Sequence, residues 1–120
     1  MKKVVNAVSE SEIYEEIRDL ITKTINEIRA DWPKDMWAEV FLSEFSIAST
    51  RIGMIETYET VQTRLKQSRI LMAQIENMET YAESNITDGE RKHSFVRNLR
   101  RIKVMLRRIM QRTERQLQAA

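Results

Sequence analysis

Apolar residues return at three- and four-residue steps along four stretches of the chain, the spacing of helices that bury one face. The first stretch opens at Ser9-Glu10-Ser11-Glu12, where Ser9 and Glu12 have the spacing of a capping box able to satisfy the free amides of a helix start. Ile13, Ile17, Leu20, Ile21, Thr24, Ile25 and Ile28 then form one stripe. This helix is predicted to end near Ala30, because Pro33 cannot donate to the preceding turn and disfavours helical backbone at Trp32. Pro33 suits the first turn of a second helix, with Asp35 at the positive end of its dipole and Trp37, Phe41, Phe45, Ala48, Ile52 and Ile55 as its stripe.

The end of the second helix is open to two readings. Gly53 has the character of a terminating glycine or of a close-packing point within the helix, and a break is expected between Gly53 and Thr60. The rival is one continuous helix from Pro33 to Ser84, about 75 Å long at about 1.5 Å per residue. Val61, Leu65, Ser68, Met72, Ile75, Met78 and Ala82 mark the third stripe, and Ser84-Asn85-Ile86-Thr87-Asp88-Gly89 has the residues of a loop. Phe95, Leu99, Ile102, Leu106, Ile109 and Thr113 follow in strict 4-3-4-3 spacing, a coiled-coil-like seam. The expected fold is all-α, an antiparallel up-down four-helix bundle over residues 9–117 behind a flexible N-terminal arm, residues 1–8.

Composition agrees with long helices and removes several kinds of chemistry. With 120 residues, 42% of them hydrophobic, the chain can bury a core as one domain, and two Gly and one Pro are too few for the turns of a many-stranded sheet. The absence of Cys excludes disulfides, thiolate zinc sites and thiol catalysis, and suits a reducing cytoplasm. No run approaches eighteen apolar residues, and the start is too short for a signal sequence, so neither a membrane span nor export is expected.

Charge changes the picture more. From Glu90 to Ala120 ten Lys/Arg face two acids, a net +8, while residues 1–89 carry ten Lys/Arg and sixteen Asp/Glu, a net −6. On a helical wheel Arg97, Arg100, Arg101, Arg108, Arg112 and Arg115 gather opposite the seam of the fourth helix, with Arg107 at the border and Lys103 flanking the seam. Arg64, Lys66 and Arg69 on the third helix could widen the patch. A guanidinium binds phosphate in a bidentate manner, and a row of such contacts makes binding steeply salt-dependent. A solvated helix face is the bland alternative, but this one has almost no acid to pair with and extends well before the last turn. Acidic protein surface, including that of a neighbouring subunit, is the competing partner. No aromatic residues interleave with the arginines, so backbone or shape recognition is expected rather than base stacking.

Other constellations are weaker. Glu90 and His93 match one half of a di-iron motif, but a single His among three cationic side chains disfavours a metal. No nucleophile is predictable beside His93 to make it a general base. Glu44 and Arg51, near the second stripe, are candidates to pair with each other or across an interface. Trp32 and Trp37 are expected to close one end of the bundle or, if exposed, to mark a partner site. The expectation is a protein without catalytic residues, metal or cofactor.

Trp32-Pro33-Lys34, Ser46-Ile47-Ala48-Ser49, Ile86-Thr87 and Ile102-Lys103-Val104-Met105-Leu106 together resemble the bacterial four-helix-bundle proteins. That group includes the proteins encoded in ribosomal RNA intervening sequences and the accessory variability determinants of diversity-generating retroelements. The resemblance implies a homopentameric ring of antiparallel bundles and, for the accessory determinants, a basic surface that binds template RNA and partners a reverse transcriptase. Arg51-Ile52-Gly53-Met54-Ile55-Glu56 departs from the Asn-Ile-Ala-Glu-Gly-like end of the second helix in the intervening-sequence branch, whereas the arginine excess agrees with a nucleic-acid-binding branch.

Overall fold

The computed structural model describes residues 9–31 and 36–119, which form four helices: α1 (Glu10–Asp31), α2 (Met36–Thr57), α3 (Val61–Asn85) and α4 (Gly89–Ala119). The expected arm over 1–8, and the expectations placed on Trp32, Pro33 and Asp35, lie outside the described residues.

Local chemistry sets three of the helix starts. The Ser9 amide donates to Glu12 Oε1 and the Glu12 amide to Ser9 Oγ, both at 3.1 Å, so the capping box forms as its spacing predicts. These bonds hold the Glu12 carboxyl below its ordinary range. The break between α2 and α3 falls in the expected interval, and Thr60 makes it: its hydroxyl accepts the Thr63 amide at 3.3 Å as the cap of α3. Gly53 has neither role considered for it. Its φ is not positive, and a Cβ built there meets nothing within 4 Å. Asp88 Oδ1 accepts the amides of Glu90 and Arg91 at 3.1 and 3.2 Å and so caps α4.

The helices close into a square in which α1 packs on α2, α2 on α3, α3 on α4 and α4 on α1. Three-residue connections at 58–60 and 86–88 force α2, α3 and α4 to reverse direction in turn. Side-chain pairs show the same sense: Arg69 near the start of α3 reaches Glu114 near the end of α4, whereas Glu79 further along α3 reaches Arg100 and Lys103. Likewise Arg18, early in α1, binds Glu56 at the end of α2. Every α4 seam residue named from the spacing is buried, and the α2 stripe from Phe41 to Ile55 is fully enclosed. At one end Trp37, Phe41, Tyr81 and Phe95 pack edge to face or tilted, with centroids 5.6 to 6.2 Å apart. Trp37 is half-buried in this cluster, as expected of a residue closing the bundle.

Hydroxyls on the stripes are buried without penalty, because Thr24, Ser68 and Thr113 each donate to the carbonyl four residues earlier, at 2.7 to 2.8 Å. Two longer-range polar contacts fix neighbours. Asn98 donates to the Thr24 hydroxyl at 3.1 Å between α4 and α1. Gln74 of α3 ties to α2 at both ends of its amide, accepting from Arg51 at 2.7 Å and donating to the Glu44 carbonyl and carboxylate at 2.9 and 3.0 Å.

Candidate nucleic-acid interface

α4 occupies a corner of the square, so one side is buried against α1 and α3 and the other faces solvent along 31 residues. Its seam pins the rotation of the helix. Arg97, Arg100, Arg101, Arg107, Arg108 and Arg115 are therefore held on the outer surface, all exposed, with Arg112 half-buried. Arg107, placed at the border by the wheel, points outward with the others.

The acids of the body divide these cations into two sets. Glu79 on α3 accepts from Arg100 Nε at 2.8 Å and from Lys103 Nζ at 2.7 Å. Partial burial pushes the Glu79 carboxyl up, but the two cationic hydrogen bonds outweigh it and leave the group below its ordinary value. The same bond raises Arg100, keeping it charged. Arg101 lies 4.0 Å from Glu16 of α1, at the limit of an ion pair. Among the described residues Arg97, Arg107, Arg108 and Arg115 have no acid, hydrogen bond or ring partner. The unpartnered charge is thus narrower than the composition suggests.

The three cations of α3 do not form one surface with α4. Arg64 is largely buried and bound to Glu10 of α1. Arg69 turns towards α4 but is met there by Glu114 at 3.4 Å. Lys66 is exposed on α3 and has no partner among the described residues.

Sequence reasoning passed over Val104. It is 46% exposed in the middle of the arginine run, so the face is a band of arginines around an apolar and amide centre, Val104 and Gln111, rather than a uniform row. Its position opposite the seam was the available signal.

Glu90 and His93 sit exposed at the start of α4, and among the described residues no three metal-ligating side chains come together. No helix among them is long and apolar enough to cross a membrane. No protein-family model, curated protein or solved structure matches the chain.

Proposed function

We propose that the protein is a non-enzymatic helical bundle that holds the phosphate backbone of nucleic acid on the outer face of α4. The observation that carries this reading is the set of exposed arginines without a partner among the described residues, Arg97, Arg107, Arg108 and Arg115, on one helix whose opposite side is locked in the core. The run from Arg97 to Arg115 spans about 27 Å at about 1.5 Å per residue, long enough for several phosphates. Like charges this dense repel one another and are relieved by an anionic polymer. The family resemblance adds RNA as the nucleic acid and a reverse transcriptase as the enzyme served, and the absence of Cys suits a reducing cytoplasm.

A salt titration of binding to duplex and single-stranded probes tests the reading. Binding should weaken steeply with salt. Replacing Arg97, Arg107, Arg108 and Arg115 by Gln should lower the log–log slope by about 0.9 for each phosphate no longer neutralised on B-form DNA, or about 0.7 on single strands. Unchanged binding in that variant, or no binding by the unaltered protein at low salt, rejects the proposal. Retained binding to an acidic protein surface alone would instead support the second reading, a scaffold whose basic helix docks on acidic partners. The acids already drawn to Arg100 and Arg69 favour that reading.

A further inference from the structure

α2 is apolar on more than its core side. Outside its buried stripe, Val40, Ile47 and Met54 are 36%, 43% and 47% exposed and stand seven residues apart, so they form one row along the outer surface, with Met36 a turn before it. Ile70 of α3, 38% exposed, lies one turn before Gln74 and hence on the side of α3 that faces α2. Between Val40 and α3 runs an open groove of about 230 Å³ lined also by Phe41, Met78 and Tyr81. A helix that is apolar on both faces is usually buried on both.

The flanking charges say what covers it. Glu44 and Arg51 lie beside the row, three residues before and four after Ile47. Within the chain they do not pair. Both bind Gln74, and among the described residues Arg51 has no carboxylate partner. Placed about a two-fold axis at Ile47, an antiparallel second copy of α2 sets Val40 opposite Met54 of the partner subunit and Ile47 opposite itself. Each flank then meets the same flank of its neighbour, which brings Arg51 to Glu44 of the partner subunit twice over. Ser43 and Thr50, the small residues that complete the seam, let the helices approach closely. An apolar row with opposite charges spaced symmetrically about its centre is self-complementary, as an isologous contact requires.

We propose that the protein pairs with a second copy of itself through α2, antiparallel and two-fold about Ile47. The pairing is independent of the α4 reading and is tested with no nucleic acid present. By sedimentation at ~0.5 M NaCl, where the Debye length is only a few ångströms and surface charge pairing is weak, the chain should run at twice 14.3 kDa. Ile47→Glu should give the single mass with unchanged helical content, since the residue is exposed. In low salt, Arg51→Glu should weaken pairing by about tenfold, because two ion pairs become two repulsions, and Glu44→Arg with Arg51→Glu should restore most of it. A monomeric unaltered chain, an assembly of another number, a dimer that survives Ile47→Glu, or a charge-swapped variant no tighter than Arg51→Glu overturns the proposal. Nucleic-acid binding by the Ile47→Glu chain, whatever its mass, would leave the reading of α4 standing in every one of these cases.

Discussion

At the scale of single residues, the Tyr14 hydroxyl is a polar group that the core encloses without satisfying. Tyr14 is 2% exposed, its hydroxyl has no hydrogen-bond partner among the described residues, and burial together with the nearby Glu56 pushes its pKa up to about 12 from 10.0. The neutral phenol is favoured in the fold, so the stability it protects is complete below pH 10 and is lost as pH rises towards 12. Tyr14→Phe should therefore flatten the fall in stability across that alkaline window. At neutral pH it should lie within about 1 kcal/mol of the unaltered chain by urea unfolding, because an unmade hydrogen bond has nothing to lose. A loss of more than about 2 kcal/mol at neutral pH would mean that the hydroxyl has a partner. Tyr14 also shows where sequence reading stops. It falls in step with the α1 stripe, three residues before Ile17 and seven before Ile21, but whether its hydroxyl finds a partner depends on groups far away in sequence. Gln74 and Asn98 were missed for the same reason: each is a polar residue whose partners, Glu44 and Arg51 or Thr24, lie far away in sequence.

At the scale of elements, the helices were legible because each announces itself by periodicity and a cap. The strict seam of α4 and the Ser9 box state a burial face and a start in residues next to one another, and both are realised. The end of α2 was legible only as an interval. Gly53 suggested a terminus, but the structure continues through it to Thr57, and the break is set by the Thr60 cap. A glycine in mid-helix with open space at its missing Cβ is an entropic weakness and nothing more. Gly53→Ala should stabilise the fold by about 0.5–1 kcal/mol and raise the melting temperature by several degrees. A thermal melt showing no rise, or a fall, would mean that the glycine makes a contact the open space does not reveal. The basic face was visible as a wheel pattern, whereas its division into paired and unpaired arginines was not. Whether Arg100 is neutralised depends on Glu79, twenty-one residues away on another helix, and no local pattern reports that distance.

At the scale of the whole molecule, the arginine band and most of the exposed apolar surface lie on different helices, α4 and α2. The acids of α1 and α3 border the arginine band, so a polyanion held along α4, as proposed, would be discouraged from spreading over its neighbours, as like charges repel. Across the square from α4 stands α2, whose outer row carries almost no charge. Two chains joined back to back through α2 would turn their arginine bands in opposite directions, too far apart and too divergent to grip a single short duplex. Such an arrangement is a cross-linker, not a clamp. Mixing duplexes labelled with donor and acceptor dyes should give energy transfer on addition of the unaltered protein, and the Ile47→Glu chain should bind each duplex yet bring none together. Taken together, the two proposals would make the molecule a tether: the diagonal placement of one greasy and one basic helix would let it gather separate strands, which neither surface could do alone.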